Sequence, residues 1–343
     1  MAYKRITMQD IADACNLSRN TVSKIFNDRG AVPEATRQMV LQKARELGYF
    51  QTVEEDPTRL AAQSKSITLL TKRFPSDAHF GTFFLPAFTE HLSRSGYTLM
   101  MSEITPEEMR ERRLPSHVAV EQTAGILSIE MFDQDYLDML CSLGLPCISV
   151  DASAKANLFP MRCDFISMEC LSSSAALTSH VIAAGAKRPG FVGDPQHCNS
   201  FRQRWMGFCD ALSEAGLTVD KGLCIMEADS PLYSDENWLL KQFQSMEAKP
   251  DALVCANDFL ALHMMAALKH LGLDIPTDIM ITGFDGTPQS AVVEPSLTTV
   301  QIPSGDIGRM AADMLLDRIK NPDLPFRSTY VKTTPMWRNS TLK

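Results

Sequence analysis

The stretch that most constrains this chain is residues 7–27, which reads as two short helices joined by a tight turn. Thr7 stands three residues before Asp10, so hydroxyl and carboxylate can satisfy each other's backbone N–H groups as a capping box. Ile11, Ala12 and Cys15 then share one helical face, and Asn16-Leu17 makes the turn. Ser18 can cap a second helix whose Val22, Ile25 and Phe26 point inward. Arg19, Asn20, Ser23, Lys24 and Asn27 are left outside. A third helix opens at Pro33, carries Val40, Ala44 and Leu47 along one side, and stops at Gly48. None of these helices is long enough to stand alone, so they must share one small core.

The outward residues have the chemistry of a DNA-reading surface. Arg and Lys donate to guanine edges or phosphates, and Asn can pair bidentately with adenine. A helix N-terminus adds N–H groups aimed at phosphate. A solvated face on an ordinary helical pair is the competing explanation. The order of residues decides against it. Ile11, Ala12, Ser18, Thr21, Val22, Ser23 and Asn27 form I-A-x-x-x-x-x-S-x-x-T-V-S-x-x-x-N, followed by Thr36, Arg37, Val40, Ala44, Leu47, Gly48 and Tyr49 as T-R-x-x-V…A-x-x-L-G-Y. This segment resembles the headpiece of the LacI/GalR family of transcriptional regulators. The resemblance implies that Arg19, Asn20 and Lys24 face base edges. It also implies that Thr7, Ser18, Thr21, Ser23, Asn27 and Arg37 hold phosphates.

The charge distribution agrees with that expectation. Residues 1–50 hold eight Lys/Arg against five Asp/Glu, a net of +3, which leaves −11 on the rest for a total of −8. A mildly basic head on an acidic body confines electrostatic attraction for DNA to one face. No apolar run is long enough to span a membrane and residues 1–20 lack an export-signal pattern, so a cytoplasmic protein is expected. The nine cysteines include no C-x-x-C pair and the seven histidines no H-x-x-x-H, so reduced thiols and no metal or other cofactor are expected.

Residues 51–66 form the expected linker. In the resembled family a hinge helix lies here and wedges a leucine into the minor groove. Asp56 as cap, Pro57 at the first helical position and Arg59–Gln63 could build that helix, with Leu60 as the wedge. The family's P-N-x-x-A-R-x-L is missing, however, and Glu54, Glu55 and Asp56 bring negative charge towards phosphate. A linker without DNA contact therefore stays open as the alternative.

From Ile67 onward short apolar runs alternate with amphipathic helical stretches, the pattern of parallel sheets with crossover helices. Strands are expected at 67–71, 97–102, 125–129 and 147–150, then at 189–193, 223–226, 251–256 and 279–283. Two groups of strands imply two doubly wound subdomains with a cleft at the strands' carboxyl ends. The sequence holds no G-x-S-x-G, P-loop, G-x-G-x-x-G or H-E-x-x-H, so no enzyme is expected. Polar residues recur just after strands: Asp151, Asn257 and Asp285, with Arg204 opening Arg-Trp-Met-Gly-Phe. Acids and an amide accept or exchange hydroxyl protons, Arg donates in a planar fork, and aromatics cover a ring's apolar face. That set suits a polyhydroxylated small molecule.

The resemblance extends over this region through R-x-x-G-F at Arg204, P-D-A-L-V-C-A-N-D at Pro250, I-P-x-D-I-x-I-T-G-F-D at Ile275 and P-x-L-T-T-V at Pro295. It implies an all-α helix-turn-helix headpiece on an α/β periplasmic-binding-protein-like (type I) body of two doubly wound parallel-sheet subdomains. The headpiece takes 1–50, the linker 51–66 and the body 67–343. The first subdomain is expected over about 67–163 and 296–326, the second over about 164–294 and 327–343, with crossings near Asp164, Glu294 and Phe326. Family effector contacts map onto Asp151, Arg204, Asn257 and Asp285. Trp205 and Phe80 are added as stacking candidates, with Phe83 and Phe84 nearby. Gly286 stands where relatives often carry a second acid, and a Phe- and Met-rich wall would admit a less polar effector.

The expected molecule is a homodimeric repressor that reads a near-palindromic double-stranded operator under control of a carbohydrate-like effector, without membrane contact. No heptad tail follows Trp337, so a dimer rather than a tetramer is expected. Control by a protein partner or a non-sugar corepressor is the alternative, and a solute-binding protein without regulatory role is a distant one.

Overall fold

The computed structural model describes residues 7–26, 32–47, 65–72, 81–156 and 161–342. Residues 51–64 of the expected linker, Leu60 among them, together with Asn27 and Phe80, lie outside the described residues. The chain divides into two compact units, Met1–Gln63 and Ser64–Lys343.

The first unit contains helices α1 (Met8–Ala14), α2 (Arg19–Phe26) and α3 (Glu34–Glu46). The Thr7–Asp10 capping box forms: Thr7 N donates to Asp10 Oδ2 at 2.7 Å, and Asp10 N donates back to Thr7 Oγ1 at 3.4 Å. Asn16 takes the positive φ of the turn. Ser18 caps α2, accepting from Thr21 N at 3.0 Å. Ile11, Ala12, Val22, Ile25, Val40 and Ala44 close over one another as the core, with Met8, Cys15, Leu17, Val32 and Leu47 packed around them.

The body begins with a six-stranded sheet in the order β10-β5-β4-β3-β1-β2, parallel throughout. Its strands are β1 (Ser66–Thr71), β2 (Thr98–Glu103), β3 (Gly125–Ile129), β4 (Cys147–Val150), β5 (Asp164–Met168) and β10 (Ser328–Val331). Crossovers include α4 (Gly81–Arg94), α5 (Pro106–Glu111) and α6 (Gln134–Ser142), and α12 (Ser304–Lys320) covers α4. Phe84, Phe88 and Leu92 of α4 bury against Ile307, Ala311 and Leu315 of α12. The two helices approach so closely that a Cβ on Gly308 would stand 2.5 Å from Phe84 O, so only glycine fits there.

A second, three-stranded parallel sheet has the order β6-β7-β8, with β6 (Pro189–Val192), β7 (Ala252–Cys255) and β8 (Met280–Thr282). Around it lie α7 (Leu171–Ala183), α8 (Asn199–Glu214), α9 (Glu236–Ser245), α10 (Asp258–His270) and the single-turn α11 (Pro288–Val292). Phe191, Phe208, Leu253, Val254, Leu260, Met264 and Ile281 form its core. A short antiparallel ribbon of β9 (Thr299–Gln301) and β11 (Thr334–Met336) accompanies the chain between the two sheets.

Two boundaries differ from expectation. β5 and β10 pair within the first sheet, so the first subdomain runs through Met168 and takes up 328–331. The crossings expected near Asp164 and Phe326 therefore come about one strand later. The reason is electrostatic. Asp164 opens β5 fully buried, and its carboxylate accepts from Arg318 Nε and Nη2 at 3.0 Å each and from Arg327 N at 2.8 Å. A buried carboxylate held by two guanidinium groups can start a central strand, and those partners are remote in sequence. The strand expected at 223–226 reduces to a 3₁₀ turn at Lys221–Leu223 and one bridge, Ile225 with Val192.

Candidate functional site

On the headpiece, Arg19, Asn20 and Lys24 are exposed on α2, while Thr21 and Ser23 are half-buried. Positions 19, 20, 23 and 24 recur on one face at helical spacing, opposite Val22 and Ile25. Thr7 and Ser18 have structural duties. The Thr7 hydroxyl donates to Asp10 Oδ2 at 2.7 Å, and the hydroxyls of Ser18 and Thr21 are 2.8 Å apart. These bonds orient the hydroxyls at the starts of α1 and α2, where orphan backbone N–H groups also face solvent. Arg37 is half-buried on α3.

In the body, a cavity of about 120 Å³ is lined by Glu130, Phe132, Val150, Asp151, Met168, His197, Cys198, Ser200, Phe201, Arg204, Asn257 and Asp285. Its walls come from both subdomains. Asp151 follows β4 and Asp285 follows β8, each at the carboxyl end of a parallel strand, where the chain must turn away. Both acids take positive φ, 58° and 129°, outside the regions favoured by residues with a side chain. Each turn aims a carboxylate into the cavity instead of along the sheet.

Arg204 is the centre of the arrangement. It is 3% exposed; its Nη1 donates to Ala256 O at 2.6 Å, and its Nη2 stands 3.4 Å from Asp285 Oδ1. The guanidinium lies 3.9 Å above the Phe284 ring centroid and 5.5 Å from that of Phe201. Such a stacked, forked cation is fixed in orientation before any ligand arrives. Its buried Nε has no hydrogen-bond partner among the described residues. Burial works against the charge of Arg204, but the neighbouring Cys170 and Asp285 outweigh it and the pKa rises.

Asp151 is held from the other side. Ser200 Oγ donates to its Oδ2 at 2.6 Å and Ala152 N to its Oδ1 at 2.9 Å. Burial nevertheless pushes its pKa above the usual carboxylate value, against the Ser200 and Ala152 hydrogen bonds and the Arg204 charge. An acid under that stress gains from any further hydroxyl that donates to it. Asn257 has a double role: its Oδ1 caps α10, accepting from Leu260 N at 2.9 Å, and the residue lines the cavity. Phe132, His197 and Phe201 make an aromatic wall, with centroids 5.0 Å and 5.1 Å apart in succession.

Four expected contacts, Asp151, Arg204, Asn257 and Asp285, are thus brought together around one cavity. Trp205 is not among its lining residues. It packs edge-on to Phe191 at 5.2 Å and stacks with Phe208 at 5.5 Å, on the hydrophobic side of α8. One step along a helix turns a side chain by about 100°, which carries Trp205 away from the face of Arg204. Phe84 stacks on Phe88 in the first core, and the exposed Phe83 lies in a different groove. Asp194, at the turn after β6, accepts from Gln196 N and Asp229 N instead of facing the cavity. No sequence motif marks Ser200, His197 and Phe132, which line the cavity from loops and a helix start. Asp258 follows Asn257 but accepts instead from Thr299 Oγ1, Thr287 N and Thr287 Oγ1, which ties α10 to β9 and α11.

A three-helix unit with a polar second helix, joined to a two-subdomain body with a polar cleft, is the construction of a ligand-responsive DNA-binding regulator. Comparison with known proteins agrees. The family described as "Bacterial regulatory proteins, lacI family" matches residues 7–51, and "Periplasmic binding protein-like domain" matches 178–341. The chain is 28% identical over 319 residues to the HTH-type transcriptional repressor PurR of Haemophilus influenzae (strain PittEE), covering 92% of each. It is 28% identical over 333 residues to the HTH-type transcriptional regulator MalR of Streptomyces coelicolor, covering 93% of this chain and 91% of that one. Its fold matches the transcriptional regulator CelR–cellobiose complex at TM-score 0.70 and 23% identity, covering 98% of this chain and all of that one. It matches the lac repressor dimer bound to operator and the anti-inducer ONPF at TM-score 0.69 and 22% identity, covering 99% and 100%. The chain therefore joins a LacI-family helix-turn-helix domain to a periplasmic-binding-protein-like domain.

Proposed function

We propose that the chain is a homodimeric repressor whose hold on a near-palindromic operator is set by a neutral, polyhydroxylated molecule, a sugar or sugar derivative, in the cavity. The observation that carries this reading is the convergence of Asp151, Asp285, Asn257 and Arg204 on one cavity whose walls come from both subdomains. Carboxylates dominate its charged lining, and the Arg204 guanidinium is already committed to Ala256 O, Asp285 and Phe284. That balance favours hydroxyl donors over an anion. A ligand touching both subdomains changes their relative angle only to the extent that it binds one arrangement better than the other.

Pairing of copies would raise the affinity of a headpiece that carries a net of only +3 over residues 1–50. Exposed Phe83, beside Pro86, Ala87, Ile302 and Pro303 in a shallow groove of the first subdomain, offers apolar surface for such pairing. Among the described residues no helix is long and apolar enough to cross a membrane, which fits a regulator working on DNA in the cytoplasm. The aromatic wall of Phe132, His197 and Phe201 favours a second reading, a flat non-sugar corepressor stacked there.

A thermal-shift screen of the full chain separates the two readings. Stabilisation by a neutral mono- or disaccharide, lost in Asp151→Asn and Asp285→Asn, is expected for the first. Stabilisation by planar heterocycles alone would move the assignment to the second, and none across both sets would leave a protein partner as the controlling input.

A further inference from the structure

Three cysteines that share no short motif meet at the opposite end of the first sheet from the cavity. Cys141 is the penultimate residue of α6, Cys147 opens β4, and Cys163 immediately precedes β5. Their Sγ atoms all lie within 4.8 Å of one another, and all three thiols are free. Two features of the backbone produce this. A turn with Gly144 at φ 73° reverses the chain after α6 and returns Cys147 beside Cys141. The parallel register of β4 with β5 pairs Ile148 with Asp164, so Cys147 and Cys163, each one residue earlier, stand side by side.

We propose that Cys141, Cys147 and Cys163 form a binding site for a thiophilic d¹⁰ cation, of which zinc(II) is the simplest case. In a tetrahedral site with Zn–S bonds of about 2.3 Å, neighbouring sulfurs stand about 3.8 Å apart. With no pair farther apart than 4.8 Å, the cluster stands within about 1 Å of that spacing. On binding, three S–H groups release their protons to solvent, three metal–sulfur bonds form, and a water molecule or an added ligand takes the fourth position. Cys147 and Cys163 are 4% and 2% exposed, so little water competes there, whereas Cys141 is half-buried and gives access. Soft sulfur donors select such a cation over magnesium or calcium. The C-terminal end of α6, rich in unpaired carbonyls, is electrostatically favourable for a cation.

The position gives the site a consequence. It clamps the end of α6 and the amino ends of β4 and β5, the same end of the sheet at which β1 receives the chain from the linker. Cys163 also adjoins Asp164, whose carboxylate binds Arg318 and Arg327. A bound cation would stiffen the corner that these residues share, independently of the cavity on the other side.

The test uses the full chain, reduced and stripped of metal, titrated with cobalt(II) as a coloured stand-in for zinc(II). One equivalent should bind, with an intense near-ultraviolet sulfur-to-cobalt charge-transfer band that zinc(II) removes. Cys141→Ser, Cys147→Ser and Cys163→Ser should each abolish or strongly weaken the band. Cys15→Ser and Cys209→Ser, away from the cluster, should leave it intact. Thermal melts of the metal-free variants separate loss of a ligand from loss of fold, and Cys141→Ser, at the half-buried position, is the variant that keeps the fold. Absence of the band in the parent, or its survival in Cys141→Ser, overturns the proposal. So does a cluster that, under air, converts quantitatively to a disulfide and never takes up metal.

Discussion

Replacing Arg204 by lysine should strike stability and ligand binding together, and the structure sets the scale. The guanidinium does three things at once: it donates to Ala256 O at 2.6 Å, faces Asp285 Oδ1 at 3.4 Å and stacks 3.9 Å over Phe284. An ammonium is a point charge on a flexible stem and cannot hold all three contacts. Losing one charge-assisted hydrogen bond in a buried place costs about 1.5–3 kcal/mol. Arg204→Leu removes the charge altogether and leaves Asp285 facing the cavity without its cation, a loss of about 3–5 kcal/mol. For a body of this size each kcal/mol lowers the midpoint by about 2–4 °C. Melts of the full chain followed by circular dichroism should therefore show a drop of several degrees for Arg204→Lys and a larger one for Arg204→Leu. Ligand-induced stabilisation should disappear in both. Arg202→Lys, two residues earlier on α8, serves as the control. An Arg204→Lys protein that melts within one degree of the parent (about 0.3 kcal/mol) and responds fully to ligand would refute the clamp.

Three further outcomes are expected at other side chains. Arg19→Ala and Lys24→Ala should each weaken binding to the chain's own upstream DNA by about tenfold or more while leaving the melt unchanged, because a good base contact is worth about 1–3 kcal/mol; unchanged binding by the double variant would remove α2 as the reading helix. Asp151, whose pKa burial raises, holds its proton longer in the folded state than an unfolded carboxyl does, so its contribution to stability falls as pH rises through the raised pKa. A hydroxyl ligand needs the ionised form, so calorimetric affinity should increase with pH over that interval and lose the dependence in Asp151→Asn. Asp164 is the opposite case: burial would raise its pKa, but Arg318 and Arg327 outweigh burial and lower it, so the stability it adds is present above the usual carboxylate pKa and is lost as acid drives pH through the lowered value. Asp164→Asn should flatten that acid-side loss and cost about 3–5 kcal/mol near neutrality, measured by urea unfolding.

Local signals were legible in the sequence, and long-range ones were not. The three short helices of the headpiece were legible from capping chemistry and helical spacing, because Thr7–Asp10 and Ser18–Thr21 act within one turn. The strands Gly125–Ile129 and Cys147–Val150 read correctly because they are buried on both faces and bounded by turns. Asp164–Met168 did not read as a strand of the first sheet. Its first residue is a carboxylate that looks like a turn until Arg318 and Arg327, distant in sequence, arrive to neutralise it. Ser328–Val331 is an edge strand with exposed positions and so lacks an apolar run.

The candidate site divides along the same line. Polar residues placed just after strands pointed to Asp151, Asn257 and Asp285, since a parallel sheet always presents those ends to its cleft. The aromatic wall of Phe132 and His197 is set by loop paths that no spacing rule captures. Trp205 was misplaced because adjacency to Arg204 in sequence means divergence on a helix. The cysteine cluster escaped for the same reason as Asp164. Its members are neighbours by strand register and not by a close-spaced motif.

The central claim is that occupancy of the cavity governs the grip on DNA. The direct measurement is fluorescence anisotropy of a labelled fragment of the chain's own upstream region, titrated with the full chain, without and with the saccharide that stabilises it most in the thermal screen. The saccharide should shift the apparent Kd for DNA in the parent and leave it unshifted in Asp285→Asn. A saccharide that demonstrably binds the parent while its DNA Kd stays the same would contradict the claim.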